Sequence, residues 1–116
     1  MTTEERMLKL VQRLHLKTMT GEVSWQATSR AGVFQLAFPT HVVKLSVSRN
    51  EDDSLDYVVS ISNESGTVIE SASDVDLKDV PPDIRSFTVM KDLYERARRQ
   101  ALGVDEALDS LLGELG

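Results

Sequence analysis

The chain has 116 residues, no cysteine, and 13 Lys/Arg against 19 Asp/Glu, for a net charge of −6. Its length suits one domain, residues 1–116. Size scaling gives about 6,300 Å² of folded surface against about 18,700 Å² unfolded, so one modest core needs no cross-link. Without cysteine, a disulfide scaffold, a thiolate metal site and a Cys nucleophile are excluded.

The chain opens with Met1, as a complete gene product would, and Met1-Thr-Thr-Glu-Glu-Arg6 is charged from the outset. It lacks the apolar run of a secretory leader. No stretch approaches the ~18 apolar residues of a membrane span. These features point to a cytoplasmic protein with no role in a membrane. Charge is uneven along the chain: residues 1–49 carry seven basic and three acidic side chains, residues 50–116 six and sixteen. Such asymmetry suits a polar contact surface or head-to-tail self-association, or two charge sets that simply face water.

Thr2 and Glu5 fit a capping box. Met7, Leu10, Val11 and Leu14 then recur at i, i+3, i+4, i+7, which predicts an amphipathic helix over about 3–18, ended near Gly21. From Ser24 the period becomes two. Trp25 and Ala27 alternate with polar neighbours, and Arg30-Ala-Gly32 reads as a turn. Phe34, Leu36 and Phe38 form a second strand, stopped at Pro39 because proline cannot donate to a central ladder. Val43, Leu45 and Val47 mark a third strand, and Tyr57, Val59 and Ile61 a fourth after the polar loop Asn50–Ser54. Asn63–Gly66 turns the chain into a short fifth strand, Thr67–Ser71. Links this short predict antiparallel neighbours, because a parallel crossover needs a dozen residues or more. One sheet face is apolar and the other mostly Ser, Thr, Gln and Lys, as in a meander with one wet side.

Residues 72–82 read as an Asp-rich loop ending in Pro81-Pro82, with Asp83 placed to cap the next helix. Ile84, Phe87, Met90, Tyr94, Ala97 and Ala101 then form a helical stripe. Asp92/Arg96 and Glu95/Arg99 stand at i,i+4 in the favourable orientation. Gly103 is a candidate C-cap. Val104, Leu108, Leu111, Leu112 and Leu115 mark a last amphipathic helix over about 105–115, which completes the core or docks on another chain. The expected architecture is α+β: an N-terminal helix, a five-stranded antiparallel β-meander and two C-terminal helices packed on one sheet face. Trp25 and Tyr57 are its expected anchors.

Chemistry-bearing patterns are sparse. His15 and His41 are the two histidines, and no metalloprotease or serine-hydrolase spacing surrounds them or any serine. General-base work needs a geometry that sequence does not supply, so both read as structural or surface residues. The acidic segments Glu51, Asp52, Asp53, Asp56 and Asp74, Asp76, Asp79, the second with its Asp-x-Asp string, lack the Asp/Asn, Gly and Glu register of a calcium loop. Acidic residues of this kind also form turns and caps. The six glycines form no phosphate-binding fingerprint. Asn63-Glu-Ser65 matches a glycosylation sequon, without meaning in the cytoplasm. No cofactor or metal is implied.

Arg6, Lys9, Arg13 and Lys17 form a basic stripe on the first helix, and Arg96, Arg98 and Arg99 a second cluster. Either could meet phosphates, but the chain is acidic and its aromatics do not interleave these residues, which makes nucleic acid the weaker reading and a solvated helix face the ordinary one.

Four strings together resemble a layout of small uncharacterised prokaryotic proteins: Gly21-x-x-x-Trp25; Tyr57–Ile61 followed by Gly66-Thr-Val-Ile-Glu70; Leu93-Tyr-x-x-Ala97-Arg98; and Ala101-x-x-Val-Asp-x-Ala-Leu108. The resemblance spans most of the chain. It implies a helix–meander–helix order and a prokaryotic source, and it brings no functional residue. The sequence thus favours a non-enzymatic interaction module, homodimeric or bound to a protein partner. The alternatives are a small-molecule binder with a pocket between sheet and helices, and a nucleic-acid accessory protein.

Overall fold

The computed structural model describes residues 1–116. Helix α1 (Thr3–Met19) begins at the capping box: the Thr2 hydroxyl accepts from the Glu5 amide at 3.1 Å, and the Thr2 amide donates to Glu5 Oε1 at 3.2 Å. Those contacts with Thr2 hold the Glu5 carboxyl below the usual carboxylate range. Met7, Leu8, Val11 and Leu14 turn inward.

Five strands follow: β1 (Gln26–Ala27), β2 (Phe34–Ala37), β3 (His41–Arg49), β4 (Leu55–Asn63) and β5 (Val68–Ser73). They form one antiparallel sheet in the order β1-β2-β3-β4-β5, the expected meander. The central register pairs Leu45 with Val59 and Val43 with Ile61. β5 pairs Ala72 with Val59 and Glu70 with Ile61, and then slips so that Val68 faces Ser62. Ile69 is the extra residue of this bulge, which bends the edge strand. Val68 and Ile69 stand exposed on this edge strand, as do Glu70 and Ser71.

Helix α3 (Ser86–Leu102) lies across β1, β2 and β4 and packs on α1. Seventeen buried apolar residues form one core cluster between these helices and the dry sheet face. Both expected anchors lie in it. Trp25 is 2 % exposed, and its indole Nε1–H donates to Thr18 Oγ1 at 2.9 Å. Tyr57 stacks obliquely on Tyr94 at 5.5 Å between ring centroids, and Tyr94 in turn meets Phe34 at 5.4 Å. Burial pushes both tyrosine phenols above their ordinary range. The Tyr94 hydroxyl donates to the Gly32 carbonyl at 2.6 Å, and Gly32 holds a φ of 79° that favours glycine.

Several expectations require correction. Residues 72–82 are not all loop. β5 runs on to Ser73, and a short helix α2 (Asp74–Leu77) follows, capped reciprocally by Ser73 and Asp76. The Ser-x-x-Asp spacing carried that signal, and Leu77 from this turn is fully buried. Asp83 does not cap α3. Its carboxylate accepts from the Arg85 amide at 3.2 Å, and Arg85, at φ 58°, occupies the cap position without a side-chain bond.

The stripe on α3 is shifted. Ile84 lies before the helix and Phe87 is exposed, while Leu93 is fully buried. Asp92 and Arg96 pair at 2.7 Å, whereas Arg99 turns from Glu95 to Asp105. On the sheet, Phe38 lies past the end of β2 and Val47 nears the far end of β3, so both expected dry-face residues are exposed. Trp25 precedes β1 instead of lying in it, and Ala27 is exposed at the sheet edge. Of the two C-terminal helices, only α3 covers the sheet. The last, α4 (Val104–Leu115), buries no residue.

Candidate interaction surface

Gly103 produces this separation. At φ 63° it caps α3, its amide donating to the Gln100 carbonyl at 3.3 Å, and it is also the residue from which α4 departs. A left-handed residue ends one helix and redirects the next, and glycine carries no Cβ penalty there. The Arg99–Asp105 ion pair bridges the junction.

Beyond it, α4 presents its apolar stripe to solvent. Leu108 is 48 % exposed, Leu111 54 %, Leu112 66 % and Leu115 83 %, with Val104 half-buried at the base. At 100° per residue these five side chains occupy one side of the helix. Asp105 and Asp109 flank the stripe on one side and Glu114 on the other, with Glu106 behind. The helix has no Lys or Arg.

Three magnitudes show that the molecule is more extended than a compact chain of its size. The molecule exposes 7578 Å², where a compact chain of this mass exposes about 6,300 Å². The radius of gyration is 15.3 Å, against about 13.4 Å expected for this length. The long axis is 54 Å and the others 34 and 30 Å. The excess area, about 1,300 Å², exceeds the ~800 Å² that one partner contributes to a standard interface.

The basic stripe on α1 is also exposed. Lys17 pairs with Glu22 at 3.1 Å. Arg6, Lys9 and Arg13 have no acid within 4 Å and, with Leu10, line a shallow hollow of about 250 Å³. The second cluster is neutralised within the chain, since Arg96, Arg98 and Arg99 pair with Asp92, Glu95 and Asp105.

The histidines fall apart in space. His15 Nε2 lies 2.6 Å from Asp92 Oδ2, tying α1 to α3. That contact, with help from Arg96, holds the Asp92 carboxyl below the usual carboxylate range. His41 is exposed at the start of β3, its Nδ1 2.8 Å from Thr40 Oγ1. It borders a hollow of about 310 Å³ on the wet face, together with Phe38, Lys44, Ser62 and Glu64. Ser62 Oγ lies sealed under that floor without a partner. No group of three His, Cys, Asp or Glu is arranged to hold a metal ion, and no helix is long and apolar enough to cross a membrane.

Two polar residues that periodicity did not single out prove structural. Asp74, one half of the Asp-x-Asp string, is 5 % exposed and accepts from the Tyr57 amide at 2.7 Å, while its carbonyl accepts from Ser86 Oγ at 2.8 Å. Gln100 accepts from the Trp25 amide at 2.7 Å and donates to the Val23 carbonyl at 3.0 Å, stitching the loop before β1 to α3. Only the fold brings these partners, 17 and 75 residues apart, together. Compared with known proteins, the chain matches no family model, no curated sequence and no solved structure.

Proposed function

We propose that the protein is a non-enzymatic, cytoplasmic interaction module that self-associates through the apolar face of α4. The single observation that carries this reading is a 12-residue helix with a five-residue apolar stripe and no buried residue. A helix of that length is marginal in water on its own, because the hydrogen bonds of a few turns barely offset the cost of nucleation. Packing of an apolar face supplies the rest, and in one chain α4 has only the half-buried Val104 at its base.

A second copy suits the surface. Leu108, Leu111, Leu112 and Leu115 form a contiguous patch bordered by charge, the composition of a small interface with a polar rim. The exposed area in excess of a compact chain suffices for a dimer of standard size. The structural role of Asp74 and the pairing of His15 with Asp92 leave these three titratable groups engaged in holding the fold.

Sedimentation equilibrium of the full chain, beside a variant carrying Leu108→Glu and Leu112→Glu, tests the proposal. The expected result is a dimer for the first and a monomer with unchanged circular dichroism for the second. A full chain that stays monomeric at all accessible concentrations, or a variant that associates equally well, contradicts it. Capture of a different protein by a monomeric chain would move the surface to a foreign partner.

A further inference from the structure

We infer that the hollow on the wet face of the sheet is a binding site for a small organic oxyanion, a carboxylate or phosphate carried on a compact apolar body. The site uses no residue of α4 and stands independently of the self-association proposed above.

Two turns build the hollow. The register pairs His41 with Asn63, so the turn before β3 and the turn after β4 stand at the same end of the sheet. The first is closed by the Phe38 amide, which donates to the His41 carbonyl at 2.8 Å, and the second by the Gly66 amide, which donates to the Asn63 carbonyl at 3.0 Å. The space beside them is about 310 Å³, at the lower end of the range for small-molecule sites. A second hollow of about 410 Å³ shares Thr40, His41, Asn63 and Glu64 with it.

Ser62 lies at the base. Its side chain is 3 % exposed, and its Oγ has no partner. Its cross-strand neighbours, Val42 and Val68, have no polar side-chain atom to offer. A buried hydroxyl left unpaired keeps the full cost of leaving water, and such groups are nearly always paired. Rotation about one bond carries the hydroxyl between three staggered positions. The hollow that Ser62 lines is the side from which a partner can come.

The groups around this hydroxyl are donors. Lys44, half-buried on the same face, makes no ion pair. Thr40 occupies His41 Nδ1 and leaves Nε2 free. Asn63 Oδ1 accepts from the Ser65 and Thr67 amides at 3.1 and 3.0 Å and from the Ser65 hydroxyl at 2.8 Å, which leaves Nδ2 as the free end of that side chain. The hollow has one carboxylate to set against them, Glu64, exposed in the outer turn. An ammonium, an imidazole and an amide grouped around an unpaired hydroxyl suit the oxygens of an anion, whose charge strengthens each bond it accepts. Phe38, 45 % exposed, and Pro39 supply apolar cover for the rest of the guest.

Amide NMR titrations of the full chain at fixed ionic strength test the site, with benzoate, inorganic phosphate and benzylammonium as probes. Benzoate or phosphate should shift the amides of His41, Lys44 and Ser62 along a saturable curve with a Kd below about 10 mM. The tighter of the two identifies the oxyanion. Benzylammonium, with the same ring as benzoate and the opposite charge, should leave these amides in place. Lys44→Ala and Ser62→Ala should each weaken binding about tenfold, as loss of a hydrogen bond to a charged group does. Glu64→Gln should tighten it by a few fold, because it removes a like charge. Circular dichroism and Trp25 fluorescence confirm that each variant folds. Shifts that never saturate with either anion overturn the inference. So does equal binding of benzylammonium, or unchanged affinity in both the Lys44→Ala and Ser62→Ala chains.

Discussion

Helices α3 and α4 are neighbours joined through one glycine, and both are amphipathic, yet they meet different ends. α3 buries Met90, Leu93, Tyr94 and Ala97 against the sheet and α1. α4 buries nothing. Both carry a helical apolar stripe, so periodicity alone does not tell a core helix from one that docks on another chain. What separates them is the left-handed turn at Gly103, which points α4 away from the sheet after α3 has covered it. An apolar stripe shows that a helix needs a partner surface. The backbone turn before it decides whether that surface belongs to the same chain.

Substitutions that contrast the body with the tail sharpen this difference. The largest effect belongs to Trp25→Ala. It removes a large buried side chain and its bond to Thr18, and should lower unfolding free energy by about 3–5 kcal/mol in a urea titration. Near-unchanged melting would contradict the packing of the Trp25 loop on α1 and α3. Ser62→Ala runs the other way. The hydroxyl is buried without a partner, so its loss should leave stability equal or raise it by up to about 1 kcal/mol. A clear loss would reveal a partner for that oxygen.

Acid should loosen the body through Asp92. His15 and Arg96 depress its carboxyl, so its contribution is complete above the ordinary carboxylate range and is lost as pH falls through the lowered value. The Asp92 side chain is 45 % exposed, which limits the effect to about 0.5 kcal/mol. Asp92→Asn should therefore cost stability at neutral pH and little in strong acid, measured by urea midpoints at both. Smallest of all, Leu112→Ala should change the stability of the monomer by less than about 0.5 kcal/mol, as exposed positions do. A loss of 2 kcal/mol or more, of the order of a core leucine, would place α4 in the core after all.

The meander was legible because its strands alternate cleanly and its links are short. Leu45, Tyr57 and Val59 fall on the inward face that their period assigns. The limits of that legibility are local. Phe38 and Val47 keep the right period but lie where no helix reaches, and periodicity carries no information on where a cover ends. The Asp74–Leu77 helix is a single turn, too short for a stripe, and only its Ser73/Asp76 cap could have marked it. Arg99 faced two acids, and the turn at Gly103 brought Asp105 nearer than Glu95. The apolar positions of α4 were legible one by one. Their exposure was not, because it depends on where α3 had already packed.

Amide hydrogen exchange along α4, followed as a function of protein concentration, tests the central claim most directly. A monomer with an unsupported 12-residue helix protects those amides weakly, while a dimer that buries its leucines protects them well. Self-association through α4 predicts that amides of residues 107–115 slow strongly as concentration rises, while those of β3 and β4 stay slow throughout. Protection of α4 that is the same at every concentration would contradict it.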